Sequence, residues 1–352
     1  MDDTEMQKIS VGKVASAVLL LLACDLSNGQ PASQSTGSTF RIMFYNVENL
    51  FDPYDDPEKN DNDFTPEGNY RWTEYRWREK TAKISKVIRA LGEGNLPAII
   101  GFCEIENRLV LEELAKHPII KDGKYRIVHY ESPDRRGIDV GLFYRDELFY
   151  LLYSEPILVQ LPDNPNFKTR DILYVKGILA NSDTLHLFVN HWPSRLGGAA
   201  TSEPNRIAAA STLKAKTDSI FALHANANIL IMGDFNDEPK DRSLLEILQA
   251  KAPNSNSKLI NLMLQMPEGS GSHKFQGNWG FLDQIIVSQA LFQAKGRLLI
   301  HNQEANVFKA EFLLEDDRRY PGKMPFRQFI GFKFNGGFSD HLPVYVDLII
   351  KN

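Results

Sequence analysis

Between Phe40 and Ile349 the chain keeps returning to short, β-branched apolar runs that stop at Asn, Asp, Glu, His or Gly. The runs are Phe40–Tyr45, Ala98–Cys103, Tyr125–Tyr130, Val140–Tyr144, Ile172–Leu179, Leu185–His191, Ile229–Gly233, Leu282–Val287 and Val344–Ile349. Runs of this length bounded by turn formers read as strands. Other stretches carry the helical period. From Glu74 to Leu91 the residues Trp77, Ile84, Val87, Ile88 and Leu91 share one face with Gly92 as the stop, and a second helix is predicted from Asn205 to His224. Shorter helices are predicted at Arg108–Lys116 and Asp241–Ala250. The spacing of Leu173–Leu179 and Leu185–His191 across Asn181, Ser182 and Asp183 is that of an antiparallel hairpin. Antiparallel pairing mixed with helical crossovers predicts an α/β (α+β) fold: two mixed, mostly antiparallel sheets packed face to face with helices outside.

No fixed-period repeat or second compositional break interrupts Phe40 to Ile350, which reads as one domain. The 43% hydrophobic and 24% charged composition excludes a disordered chain, and no apolar run approaches the roughly 20 residues of a membrane span. Forty Lys and Arg against 45 Asp and Glu leave a net charge of −5. That excludes a polycation holding nucleic acid by charge alone, so any phosphate binding is local. Cys24 and Cys103 are too few for a disulfide framework. Residues 1–23 read as an export signal. Counted from Met6, Lys8 and Lys13 make its positive start and Val14 to Ala23 its apolar core, and Leu21-Leu22-Ala23-Cys24 resembles a bacterial lipobox with Cys24 as the lipidated residue. Competing readings are cleavage without lipidation and an N-terminal helix of the fold. Residues 24–39, with the polar stretch Ser27 to Ser38, read as a flexible linker. The expected location is exported: a cell-envelope lipoprotein, or periplasmic or secreted. No stable protein partner is implied, and membrane contact only through that anchor.

The chemistry-bearing residues follow the strands directly. They are Asn46 and Glu48 in Tyr45-Asn46-Val47-Glu48-Asn49, Glu104 and Glu106 after Ile99–Cys103, and His191 with Arg195 in Asn190–Arg195. Next come Asp234 and Asn236 in Gly233-Asp234-Phe235-Asn236, Asp283 inside an apolar stretch, and Asp340-His341 before the last strand. Taken singly, several of these also fit a turn residue, a solvated acid or a strand edge. Asp283 is the exception, because a carboxylate in so apolar a run needs a partner, and we infer a histidine. Carboxylates and amides with few nitrogens and no cysteine pairs favour Mg²⁺ or Mn²⁺ over a closed zinc site, and a carboxylate–His pair beside such an ion is equipment for activating water.

The ordered series Asn46, Glu104, His191, Gly233-Asp234-Phe235-Asn236, Asp283 and Ser339-Asp340-His341 resembles the endonuclease/exonuclease/phosphatase superfamily. The resemblance spans nearly all of Phe40 to Ile350, so 40–352 is read as the catalytic domain. It implies a four-layered α/β sandwich and Mg²⁺-dependent phosphoester hydrolysis, with Mn²⁺ as a possible substitute. By resemblance, Glu104, helped by Asn46 and Asp340, ligates the metal. His341, oriented by Asp283, is the base or proton carrier, Asp234 and Asn236 position water and phosphate, and His191 serves the phosphate oxygen or the leaving group. Whether His341 or Asp234 is the base stays open, as does the number of ions. Arg195 and Lys274 are candidate phosphate cations, and Trp279 a candidate stacking face for a base. The acidic loop Asp52 to Asp63 resembles a Ca²⁺ loop in composition but lacks EF-hand spacing, and reads as solvated. Three functions are carried forward. The first is an exported nuclease-like phosphodiesterase acting on DNA or RNA; the second is a phosphatase or sphingomyelinase-like phosphoesterase of the same fold. The third is a non-catalytic surface-binding lipoprotein.

Overall fold

The computed structural model describes residues 38–351 except 162, 163 and 165. The expected export signal and linker fall on residues outside these, apart from Ser38 and Thr39, which open the first strand. The chain runs β1 (Ser38–Leu50), α1 (Glu74–Leu91), β2 (Ile99–Ile105), α2 (Arg108–Lys116), β3 (Arg126–His129) and β4 (Asp139–Tyr144). It continues through β5 (Phe149–Ile157), β6 (Ile172–Leu179), β7 (Thr184–His191), α3 (Ala199–Leu223), β8 (Asn228–Asp234), β9 (Ala250–Lys251) and β10 (Leu259–Asn261). The hairpin β11 (His273–Phe275) and β12 (Asn278–Gly280) leads into β13 (Asp283–Ser288), α4 (Gln289–Phe292), β14 (Leu298–Ile300) and β15 (Asn306–Val307). Two small hairpins, β16 (Leu314–Asp316) with β17 (Lys323–Pro325) and β18 (Phe329–Ile330) with β19 (Lys333–Phe334), precede β20 (Val344–Ile350).

Two seven-stranded sheets result, in the orders β14-β20-β1-β2-β4-β3, with β15 also on β20, and β5-β6-β7-β8-β13-β10-β9. In the middle of each sheet one parallel pair, β1–β2 or β7–β8, is joined through a long helix, as a parallel crossover requires. The side-chain period of two splits each central strand between two cores. Ile42 and Phe44 of β1 and Leu230 and Met232 of β8 meet between the sheets. Met43 and Tyr45 instead pack under α1 and α2, and Ile229 and Ile231 pack under α3. The architecture is therefore helix, sheet, sheet, helix, the four-layered sandwich. The sheets come close at Gly101, where an added Cβ would lie 2.9 Å from Met232 Cε of the other sheet.

The face predicted for α1 is the buried one, and every predicted strand is present. Helix α3 begins at Ala199 rather than Asn205, with Pro204 in its second turn. Its start is braced by the buried Arg206 side chain, which donates to Ser202 Oγ at 2.8 Å and Ala199 O at 2.9 Å and meets Asp237 at 2.6 Å. The helix expected at Asp241–Ala250 is a π-helical turn at Ser243–Leu248. Edge strand β5 escaped prediction because its outward side chains are aromatic and aliphatic, Tyr150, Leu152 and Tyr153, which blurs the alternation. The acidic loop is less solvated than expected. Asp52 and Asp61 are buried, with Asp52 accepting from Tyr54 N and Asn107 Nδ2 and Asp61 from Asp56 N.

Candidate active site

Since β1–β2 and β7–β8 are parallel while β20 and β13 run against β1 and β8, the ends of the first four strands and the starts of the other two share one pole. Local distortion re-aims the side chains there. The β1–β2 and β2–β4 registers both slip around Glu104, whose φ of 60° is uncommon for a glutamate. Asn236 has φ 51°, which asparagine tolerates. Gly233 passes the neighbouring strand so closely that a Cβ would come 2.4 Å from Asn190 O.

Glu104, His191, Asp234, Asn236, Asp340 and His341 line one cleft of about 460 Å³. Asp283 lies just beneath it, its Oδ2 2.7 Å from His341 Nδ1 and accepting Ser272 Oγ at 2.6 Å. His341 Nε2 is thereby turned toward Asp234 Oδ2 at 3.9 Å and Asp340 Oδ1 at 4.0 Å. On the other side His191 Nε2 stands 3.9 Å from Asp234 Oδ2 and 4.0 Å from Glu104 Oε1. These separations are too long for direct hydrogen bonds, so the polar atoms stay open to a third partner.

The two imidazoles are pushed in opposite directions. Burial opposes charge on His341, but the Asp283, Asp234 and Asp340 carboxylates overcome it and hold its pKa well above the usual value. His191 has only burial and the positive charges of Arg170, Arg136 and His341 around it, and its pKa falls well below. Burial raises Asp234 to about 6 against the pull of His341, with Asp283 adding to the rise. One imidazolium and one neutral imidazole flanking a carboxylate is the separation of acid and base roles expected of a hydrolytic centre.

Other expected residues have different surroundings. Asn46 Oδ1 accepts Glu48 N–H at 2.9 Å, and its Nδ2 faces Asp234 at 3.0 Å and Glu104 at 3.4 Å. The amide of Asn46 thus bridges the backbone of its own turn and the two carboxylates. Asn236 Nδ2 donates to Trp192 O at 3.0 Å and its N–H to Asp234 Oδ1 at 2.9 Å. Arg195 reaches the cleft wall with its guanidinium occupied by Asn236 O at 2.7 Å, Asp237 at 3.1 Å and Asp241 at 2.6 Å. The expectation for Lys274 is corrected: its side chain is 2% exposed and paired with Asp317 at 2.9 Å, away from the cleft. Trp279 does line the cleft, with Lys309 Nζ 4.0 Å from its ring centroid. Glu106 turns away, accepting Asp52 N at 2.6 Å.

Sequence reasoning missed the supporting residues. The buried Arg170 donates to His191 O at 3.2 Å and Trp192 O at 2.6 Å. Arg327 joins Asp340 at 2.9 Å and Glu48 at 3.3 Å. Ser339 Oγ donates to Asn46 O at 2.7 Å and accepts His341 N–H at 3.0 Å, and the His273 ring lies 4.6 Å from that of His341. Only Ser339 had a signal, its place beside Asp340-His341.

The donor set suits a hard dication. Glu104 Oε1 has no protein donor nearer than Asn46 Nδ2 at 3.4 Å, and Glu104, Asp234 and Asp340 bring oxygen atoms to one cleft with imidazole nitrogens at its flanks. Asp234, Asp283 and His341 offer atoms within 4.8 Å of one another, as do His273, Asp340 and His341.

The same fold is found in known proteins. The human Nocturnin catalytic domain shares the fold at 18% identity and a TM-score of 0.53, covering 88% of this chain and 94% of its own. A mannosyl-6-phosphatase of Bacteroides thetaiotaomicron aligns at 14% identity and 0.54, with 88% and 100% covered. D. rerio TDP2 complexed with a single-strand DNA product aligns at 14% and 0.53, with 88% and 99% covered. No curated protein matches the chain. The model of the Endonuclease/Exonuclease/phosphatase family matches residues 41–350, and the chain belongs to that family.

Proposed function

We propose that the protein is a Mg²⁺- or Mn²⁺-dependent hydrolase that takes a small phosphoester into this cleft. The observation that carries the reading is the Asp283–His341 bond of 2.7 Å aimed at Asp234 in a cleft shared with Glu104 and His191. Glu104 and Asp340 would hold the dication. Bound there, it would polarise a phosphoryl oxygen and offset negative charge in the transition state. Asp234, fixed by Asn46 and Asn236, orients the attacking water and accepts its proton at Oδ2. His341, held as imidazolium by Asp283, donates a hydrogen bond from Nε2–H to the phosphoryl oxygen as charge develops there. Neutral His191, anchored through the grip of Arg170 on its backbone, supports the opposite side of the phosphate.

Cation supply favours a small substrate over a long nucleic acid, the reading that the sequence put first. Lys274 and Arg195 are both committed to carboxylates. Besides the His341 imidazolium, Arg136 is the one other cation lining the cleft among the described residues, whereas a nucleic-acid track needs several phosphate contacts. The mannosyl-6-phosphatase neighbour is in keeping with this choice.

The test is a substrate panel with Mg²⁺ or Mn²⁺: sugar phosphates, p-nitrophenyl phosphate, bis-p-nitrophenyl phosphate, choline phospholipids, RNA, and single- and double-stranded DNA. Small esters should be turned over best, and EDTA or Asp234→Ala should lower the rate at least about 100-fold. Preferred cleavage of DNA with a steep salt dependence would restore the nuclease reading, and activity surviving both EDTA and Asp234→Ala would end the proposal. Export and lipidation at Cys24 belong to the same proposal on sequence grounds, and palmitate labelling lost in Cys24→Ala tests them.

A further inference from the structure

Outside the cleft, a second group of metal-ligating side chains stands at the two roots of one loop. His129 ends β3, Glu131 follows it, and Asp139 begins β4. Each offers one ligand atom, all within 4.8 Å of one another. The His129 and Asp139 side chains are 3% and 1% exposed, and His129 Nε2 lies 3.3 Å from Asp139 Oδ2. Despite that proximity both atoms are buried without a hydrogen-bond partner, which is costly for polar groups out of water. The other Asp139 oxygen is satisfied by Ser132 N–H at 2.9 Å. Thus the pair is close but not aligned as a hydrogen bond, and each group keeps a buried polar atom without a partner.

We propose that His129, Glu131 and Asp139 form a Zn²⁺ site separate from the catalytic cleft. Zinc bonds imidazole nitrogen and carboxylate oxygen at about 2.0–2.2 Å in a tetrahedron. The ligand-to-ligand edge of such a tetrahedron is about 3.3–3.6 Å by geometry from those bond lengths, a range that includes the 3.3 Å between His129 Nε2 and Asp139 Oδ2. One neutral nitrogen beside two carboxylates favours zinc over Mg²⁺ or Ca²⁺, which prefer oxygen alone. A cavity of about 10 Å³ lies against Ser132, Asp139 and Asp171, enough for one water-sized body beside Asp139. Asp171, entering from the other sheet with one buried oxygen unpartnered, adds negative charge nearby. Glu131, with 56% of its side chain exposed, is the entry point. A metal here would pin both ends of the loop that carries Asp134, the partner of Arg170 at 3.1 Å, and Arg136 of the cleft wall.

The readouts are binding and a spectrum, independent of turnover. The full chain, stripped with EDTA and kept in excess Mg²⁺ to occupy the cleft, is titrated with Zn²⁺ against a chromogenic chelator and, in parallel, with Co²⁺ as a visible-absorption probe. The wild type should bind one Zn²⁺ equivalent that His129→Gln and Glu131→Gln weaken at least about 10-fold, and Co²⁺ should give d–d bands that both variants lose. Glu131 is exposed, so its variant keeps the fold even if the buried His129 variant does not. Identical Zn²⁺ isotherms for wild type and Glu131→Gln, or Co²⁺ bands unaltered by Glu131→Gln, would overturn the site.

Discussion

Asp283→Asn isolates the charge behind His341. In the wild type a single oxygen, Asp283 Oδ2, accepts both Ser272 Oγ–H and His341 Nδ1–H. The carbonyl oxygen of an asparagine can accept the same two, so the variant keeps the geometry and removes only the negative charge. The charge centres of a carboxylate and an imidazolium bonded this way are about 4 Å apart, which at an effective dielectric of 20 is worth about 4 kcal/mol. At 1.36 kcal/mol per unit that lowers the His341 pKa by about three units. A proton-donating imidazolium supports activity below its pKa, so the variant should lose kcat/KM on the alkaline side. The alkaline limb of the profile moves down by about 2–3 pH units, and above the shifted limb the rate falls about tenfold per pH unit. The assay is kcat/KM against pH on the best small phosphoester at fixed Mg²⁺. An unshifted alkaline limb, whatever the drop in absolute rate, would refute the assignment of His341 as the charged donor.

Lys274→Ala separates a structural from a substrate role. Truncation leaves Asp317 without its partner, so urea unfolding should show a small loss of stability, as for a solvent-reached ion pair, with KM unchanged, and a raised KM at unchanged stability would reinstate Lys274 as a substrate cation. His186 lies under α3 with its Nδ1 2.7 Å from the Tyr174 hydroxyl, and burial, then Lys176, lowers its pKa to about 4 from 6.5. Its contribution is present above pH 6.5, where both states are neutral, and is lost as pH falls toward 4 because only the unfolded chain takes up the proton. Between those limits the wild type should lose up to about 3 kcal/mol more than His186→Gln, and parallel acid profiles from urea unfolding would contradict this.

The strands were legible because the central ones are buried on both faces and so appear as unbroken apolar runs, and the polar residues behind them were legible because a strand end is where such a run must stop. What the sequence hid is of two kinds. Ion pairs bring together distant positions: nothing near Lys274 announces Asp317, and nothing near Arg195 announces Asp237 and Asp241. Their cations consequently looked free. Backbone conformation is hidden as well, since the left-handed turn at Glu104 breaks the ordinary preference of glutamate and is imposed by the register slips in the neighbouring ladders. Arg327, in a segment of short hairpins with no clear period, gave no sign that it would brace Asp340.

The last strand, β20, pairs along nearly its full length with the first, β1, and directly follows Asp340-His341. During synthesis β1 therefore waits with one edge open until the chain has been made through β20. Closing that loop is among the slowest kinds of contact to form. The half of the centre that includes Asp340 and His341 is assembled in the same event that completes the first sheet. Hydrolytic competence should thus appear abruptly at the end of folding, with no partly active intermediate, and a chain shortened into β20 should lose its fold and its chemistry together.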